Sequence, residues 1–278
     1  MKIDKLFKLA GVAALAMSFS GPVTAEMDAA TEAKLKQALA GSHRSDANKA
    51  RDAHRHPLET LKFFGLNQSM KVLEVGPSGG WYTEVLAPVL NEKGKYVAGH
   101  SDPDASENAK KAVDAFKATL AAKPDLYSNA VVGVLSPRTS KFTPAAPGSM
   151  DMVVTFRNIH NWMAQDTQDV MFKAFYDQLK PGGILGVVEH RAKTDQPQDP
   201  KAKSGYVRED HAIALAEKAG FKFVKKSEIN ANPKDTKDYE GGVWTLPPNY
   251  AKKDVDKEKY AAIGESDRFT MVFQKPAM

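Results

Sequence analysis

From residue 71 onward, short apolar runs alternate with stretches in which apolar residues recur three or four positions apart, the pattern of strands interleaved with helices. Lys71 to Val75 reads as a first strand. It runs into Gly76-Pro77-Ser78-Gly79-Gly80, after which Trp81, Val85, Leu86, Val89 and Leu90 recur at helical spacing. Further strands are expected at Lys95 to Gly99, Ala130 to Leu135, Asp151 to Phe156, Ile184 to Glu189, Phe221 to Lys226 and Arg268 to Phe273. Between them the spacing predicts helices over Ala105 to Leu120, Gln165 to Leu179 and Val207 to Ala219; Pro181-Gly182-Gly183 and Gly220 stop the last two. Upstream, residues 28 to 64 read as helical, separated by a polar stretch from Gly41 to His56. Residues 229 to 266, rich in Asn, Pro, Lys and Asp, interrupt the alternation. Trp244, Leu246 and Tyr250 give this insertion something to bury, so an ordered flap is expected.

Seven strands alternating with helices imply an α/β fold, a mostly parallel, doubly wound sheet with helices on both faces. Ligands of such sheets bind at the carboxyl ends of the strands. The site is therefore expected around residues 74 to 82, 100 to 104, 136, 156 to 162 and 189 to 191. The chain divides into residues 1 to 25, a helical lid segment at 26 to 70, and an α/β domain at 71 to 278 carrying the 229 to 266 insertion.

Charge and composition narrow the function. The 278 residues carry 39 bases against 34 acids. Removing Lys2, Lys5, Lys8 and Asp4 with the first 25 residues leaves 36 against 33, too small an excess for a nucleic-acid footprint. Cysteine is absent, which excludes disulfides, thiolate metal sites and cysteine nucleophiles. The first 25 residues join a basic start, an apolar stretch from Leu9 to Phe19 and the small residues Val23-Thr24-Ala25, the three parts of a secretory signal peptide. That stretch is shorter than the ~20 residues a spanning helix needs. Export to the periplasm or medium is expected, with no stable membrane insertion afterwards.

The glycine turn after the first strand does not fit a phosphate site. In a dinucleotide fingerprint the second and third glycines would fall on Ser78 and Trp81, and no G-x-x-x-x-G-K-[ST] string is present. What stands there is an acid at a strand end, Glu74, followed by Gly76, Pro77, Ser78, Gly79 and Gly80. This string resembles the first motif of the class I S-adenosylmethionine-dependent methyltransferases, an acid followed by glycines at alternate positions, with Ser78 replacing one glycine. Small residues there admit a ligand against bare backbone. The resemblance covers residues 71 to 190 and extends less closely to 274. It takes in Leu179-Lys180-Pro181-Gly182-Gly183 and the Arg157-Asn158-Ile159-His160-Asn161-Trp162 segment, which is similar to the histidine-bearing segment of small-molecule methyltransferases. More narrowly, Gly-Pro-Ser-Gly-Gly-Trp-Tyr-Thr-Glu, His-Asn-Trp and Gly242-Val243-Trp244-Thr245-Leu246-Pro247-Pro248 look like a small group of predicted exported methyltransferases.

The resemblance implies a Rossmann-like methyltransferase fold and S-adenosylmethionine as cofactor. It places Glu74, Gly76, Pro77, Ser78, Gly79, Gly80 and Asn158 on the cofactor, with Asp102 on the ribose and Asp104 as its competitor. Where many relatives carry an acid near adenine, this chain has Leu135-Ser136-Pro137. His160 is the candidate for proton transfer, because imidazole titrates near neutral pH. Arg157 is the candidate for orienting an anionic substrate group, alongside Asn161. Tyr82, Trp162 and Tyr206 would form an aromatic wall, and Arg55 and His54 lie on the substrate side.

Each residue has a plainer role open to it. Glu74 can cap a helix or pair with a lysine, Asp102 can cap the following helix, and Arg157 can neutralise Glu189. His160 can be structural, and the three aromatics can belong to the core. Two rival chemistries fail. His54-x-His56 lacks a second metal-ligand cluster such as H-E-x-x-H, so no metal is expected, and Ser78 does not stand in a G-x-S-x-G elbow. The expected function is methyl transfer to a small molecule outside the cytoplasm. The alternative is an inactive relative of the same fold that binds a nucleoside-like or small aromatic ligand.

Overall fold

All seven expected strands form, in a computed structural model that describes residues 26 to 277; the expected signal peptide lies outside the described residues. They are β1 (Lys71–Val75), β2 (Lys95–His100), β3 (Ala130–Ser136), β5 (Met150–Phe156), β6 (Leu179–His190), β7 (Lys222–Ser227) and β8 (Arg268–Gln274). An eighth, β4 (Lys141–Thr143), pairs antiparallel with the edge of β3. Its Lys-Phe-Thr sequence has one apolar residue, so no periodicity could reveal it. The single sheet runs β4-β3-β2-β1-β5-β6-β8-β7. β8 lies antiparallel to both of its neighbours. Strand order reverses beside β1, where β2 lies on one side and β5 on the other, and the crevice of such sheets opens at that point.

The region expected to be helical from 28 to 64 is four pieces: α1 (Ala29–Ala40), α2 (Asp46–Ala50), α3 (Asp52–Arg55) and α4 (Pro57–Phe64). Caps explain the breaks. Asp28 accepts from the Thr31 amide to start α1, Ser45 accepts from the Asn48 amide to start α2, and His56 takes a left-handed conformation that turns the chain into Pro57. The sheet is then layered by α5 (Thr83–Leu90), α6 (Glu107–Ala121), α7 (Pro124–Tyr127), α8 (Ile159–Ala164), α9 (Gln168–Gln178) and α10 (Glu209–Lys218). Pro181-Gly182-Gly183 is not a loop: β6 runs through it, with Gly182 at φ +78°. The 229 to 266 insertion holds a 3-10 turn at Gly242–Thr245 and α11 (Lys257–Ile263), and it buries Val243, Leu246 and Tyr260. Trp244 and Tyr250 are only half-buried. No described helix is long and apolar enough to cross a membrane.

Strand alternation divides the core into two clusters, one on each face of the sheet. Val72 points to the cluster of Leu35, Phe64, Leu86 and Phe156, and Leu73 and Val75 point to that of Phe172, Phe175 and Phe273. Glu74, two residues after Val72, shares the first face. There α4 approaches so closely that a Cβ on Gly186 of β6 would stand 2.6 Å from the Phe64 ring. Gly186→Ala is therefore expected to overpack this contact and lower unfolding free energy by about 1–3 kcal/mol, read from urea denaturation. An unchanged midpoint would show that Phe64 can withdraw freely.

Candidate active site

At the end of β1 the chain turns through Gly76 at φ +59°, Ser78 at φ +52° and Gly80 at φ +81°. Ser78 thus keeps the left-handed conformation that glycine adopts without cost, at the position where the sequence departs from the glycine pattern. A side chain at Gly79 would meet nothing within 4 Å, so this backbone faces open space. Asn158, just beyond β5, donates to the Val75 carbonyl at 3.1 Å and the Thr155 hydroxyl at 3.2 Å and ties the two strand ends together.

Two cavities adjoin this tie and share Val75, Gly76, Asn158 and Asn161. The first, of about 340 Å³, reaches Arg51, Arg55, Glu74, Tyr82 and Arg157. The second, of about 280 Å³, reaches Ser101, Ser106, Leu135, Ser136, Pro137 and Trp162. The first falls within the size range of ligand pockets and the second just below it.

The structure brings most of the expected residues to this cleft, but His160, Gly80, Asp102 and Tyr206 line neither cavity. Asp102 is buried away from both cavities: its carboxylate pairs with Lys141 Nζ at 2.9 Å and accepts from the Asp104 amide at 3.1 Å, which caps the turn Pro103–Ala105. The Lys141 hydrogen bond, against the effect of burial, holds its carboxyl below the ordinary range. Asp104 is claimed by the same lysine. Tyr206 is also absent from the cleft, its hydroxyl donating to the Asp235 oxygens at 2.9 and 3.0 Å. Trp162 packs on Phe172 and Phe175 and borders the second cavity only. Tyr82 stacks on Phe156, with ring planes 7° apart, and lines the first cavity.

His160 has a partner that sequence reasoning did not supply. Its Nδ1 lies 3.1 Å from Oε1 of Glu189, a carboxylate with no exposed surface at the end of β6. Glu189 also accepts from the backbone amides of Ile159, at 2.6 Å, and His190, at 2.8 Å, so it caps α8 and orients the imidazole together. Arg157 is not among its partners, which overturns the idea that this arginine neutralises it. His190 completes a set of metal-ligand types with His160 and Glu189, their ligand atoms within 4.8 Å. Both Glu189 oxygens are already engaged by N–H donors. Arg268 is close enough, after burial, to help push the His190 imidazole well below its usual range, and positive neighbours disfavour a cation. His54 and His56 join no metal-ligand set among the described residues.

Glu265, Arg268 and Arg51 were also missed. Glu265 binds Arg51 Nε at 2.6 Å, hydrogen-bonds Arg268, and lies 3.6 Å from Arg55 Nε. Burial alone would raise its carboxyl, but Arg268, Arg51 and Arg55 hold it down to about 2. Burial lowers Arg55 to about 8 and Arg157 to about 10, with the neighbouring guanidinium groups adding to both shifts.

A family model described as protein-L-isoaspartate(D-aspartate) O-methyltransferase matches residues 50–224, more than half of the chain. No curated protein sequence matches. Among solved structures, an S-adenosylmethionine-dependent methyltransferase from Aquifex aeolicus is similar at 19% identity and TM-score 0.50, over 88% of this chain and 98% of that one. The [4+2]-cyclase SpnF is similar at 17% identity and TM-score 0.54, over 93% and 100%. These likenesses show the fold.

Glu74 gives a test of the cleft's electrostatics. Its Oε2 accepts from Tyr96 at 2.6 Å and Thr83 at 3.1 Å, yet burial outweighs these bonds and lifts the carboxyl from 4.5 to about 7. The folded state therefore holds this proton more tightly than the unfolded chain. The stability it contributes is full below about pH 4.5 and is lost as pH rises through about 7. Wild type is expected to lose on the order of 2–4 kcal/mol relative to Glu74→Gln across that window, measured by urea denaturation at successive pH values. Parallel pH curves for the two proteins would contradict the buried, protonated carboxyl.

Proposed function

The chain belongs to the protein-L-isoaspartate(D-aspartate) O-methyltransferase family and is a methyltransferase that uses S-adenosylmethionine; from that premise we propose that its acceptor is a small molecule, met outside the cytoplasm, and that His160 receives the acceptor's proton. The observation that carries this reading is the pairing of His160 with the buried Glu189 on the segment whose Asn158 and Asn161 border both cavities, His160 itself lining neither. The outward location is supported by the pattern of residues 1 to 25.

The residues present fit the cofactor in most respects. Gly76 to Gly80 leave its amino-acid end free backbone to lie on, and Leu135, Pro137 and Trp162 give the second cavity apolar surface for a purine. The carboxylate expected for the ribose is not there, and Ser101 and Ser106 border that cavity instead. When bound, S-adenosylmethionine supplies a methyl carbon activated by a positive sulfur. The chain itself has to align the acceptor with that carbon, which is where most of the acceleration of a displacement arises.

Glu189 fixes the ring of His160 by holding Nδ1, which leaves Nε2 as the atom that can take a proton. Trp244 of the insertion stands edge-on to the same ring, 5.9 Å between centroids, and shields it from bulk water. Asn158 and Asn161 border both cavities and can hydrogen-bond to either occupant.

Calorimetric titration with S-adenosylmethionine and S-adenosylhomocysteine is the direct test, followed by a screen of small acceptors with radiolabelled methyl donor. Micromolar binding is expected in wild type and, within about twofold, in His160→Ala. On any acceptor found, His160→Ala should lower kcat by about a hundredfold to ten-thousandfold, the usual worth of a general base. A folded protein that binds neither compound would sink the proposal. Full turnover in His160→Ala would remove the histidine from the mechanism.

A further inference from the structure

The first cavity carries more positive charge than its own carboxylates can balance. Arg51, Arg55 and Arg157 line it, and Glu74 is the one acid that does so among the described residues. Glu74 already accepts two hydrogen bonds through Oε2. Behind the wall, Glu265 gives its oxygens to Arg51 and Arg268. Arg55 is left over. It is only 5% exposed, its Nε is buried without a hydrogen bond, and its guanidinium lies 4.4 Å from the centre of the Trp81 ring. Arg157 is left over as well. Its guanidinium makes no hydrogen bond or ion pair among the described residues, and its backbone sits at φ +61°, a conformation a non-glycine residue adopts at a cost.

Charges withdrawn from water and short of hydrogen bonds are expensive, and buried Arg55, with its Nε unbonded, and half-buried Arg157 both have guanidinium groups open to a ligand. A guanidinium matches a carboxylate through two parallel hydrogen bonds, and Arg is favoured over Lys wherever that geometry is used. The cofactor could offer one such carboxylate at its methionyl end. It would, however, bring a sulfonium and an ammonium with it, so its net charge is positive and the excess in the cavity would grow. The compensating anion has to arrive with the other occupant.

We propose that Arg55 and Arg157 form a carboxylate subsite for the acceptor, which is a small organic acid anchored by this group while a different atom is methylated. This rests on the methyltransferase reading above. The anchored carboxylate is distinct from the reacting atom because two guanidinium groups would draw electron density from an oxygen they hold and blunt its attack. The reacting group then carries its own proton, which gives His160 its task. The methyl carbon forms a bond to that atom as its bond to sulfur breaks. The electron pair stays on sulfur, and the proton moves to Nε2.

The test uses wild type, Arg55→Gln, Arg157→Gln and Arg157→Lys, each first shown to be folded by circular dichroism. Each is titrated with S-adenosylhomocysteine and with 5′-methylthioadenosine, which lacks the amino-acid end. Proteins saturated with S-adenosylhomocysteine are then titrated with acetate, succinate and citrate, and with acetamide as the uncharged control. At least one carboxylate is expected to bind wild type about tenfold or more tighter than acetamide, and to lose about tenfold or more in either Gln variant, with Arg157→Lys intermediate. Affinity for S-adenosylhomocysteine should move less than about threefold, well under one charge-assisted bond. Variants that weaken S-adenosylhomocysteine but not methylthioadenosine, with no effect on carboxylates, would assign the arginines to the cofactor and overturn the proposal. So would failure of all three carboxylates to bind wild type. Failure of S-adenosylhomocysteine alone would defeat the methyltransferase reading, while arginine-dependent carboxylate binding to the unsaturated protein would preserve the anion subsite.

Discussion

One carboxylate holds the cleft together. Glu265 lies in the chain just before β8, and through Arg51 and Arg55 it fastens the short helices α2 and α3 over the carboxyl ends of β1 and β5. Arg268 reinforces the same junction by donating to the His54 carbonyl at 3.0 Å while bonding Glu265. Removing one partner from a buried pair of this kind costs about 3–5 kcal/mol, because the charge left behind is neither solvated nor matched. The lid segment therefore stays in place through a contact between the two ends of the described chain, and the shape of the first cavity follows from it. Trp81 adds a second attachment, its indole N–H donating to the Asn48 carbonyl at 3.0 Å under the cation of Arg55.

The strand ends themselves are joined by side chains doing two jobs each. Asn158 links β1 to β5, and Glu189 links β6 to α8. In both cases a polar group satisfies backbone amides or carbonyls that a strand or helix terminus would otherwise leave open. The first of these ties also holds Asn158 at the border of both cavities. Rigidity at this level is what a displacement reaction asks of its protein, since small errors of alignment lower the rate steeply.

The architecture could be read from the sequence because it rests on periodicity. Val72 and Leu73, then Val153 and Val154, make runs that only a buried strand explains. The glycine turn was equally plain, including Ser78, whose positive φ shows that the departure from glycine changed the residue and kept the conformation. Roles that depend on a distant partner were not legible. The Ser101-Asp102-Pro103-Asp104 string suits a ribose-binding acid and a turn cap equally well, and the lysine that decides between them sits on β4, a strand too short to leave a pattern. Glu189 stood in the right place at the end of its strand, yet its hydrogen bond to His160 depends on how β5 and β6 are registered. Arg51 and Glu265 meet across 214 positions, and nothing local marks either of them.

The cleft confronts an electrostatic problem in which its parts become intelligible together. A methyl donor with a positive sulfur is attracted to negative charge, yet the cavity is rich in guanidinium groups. Glu74 does not resolve this: burial lifts its carboxyl to about 7, so below that pH it contributes little negative charge. The aromatic rings do not resolve it either, since Trp81 already packs under the Arg55 and Arg44 guanidinium groups and Tyr82 is stacked on Phe156. An acceptor anion gripped by Arg55 and Arg157 would lower the local potential when it enters, and would improve the site for the donor in the same act. Binding of the two partners would then be mutually favourable by linkage, each raising the other's affinity by the same factor. Such a cleft would bind the donor less tightly without its acceptor, which ties commitment of the cofactor to the presence of the molecule it methylates.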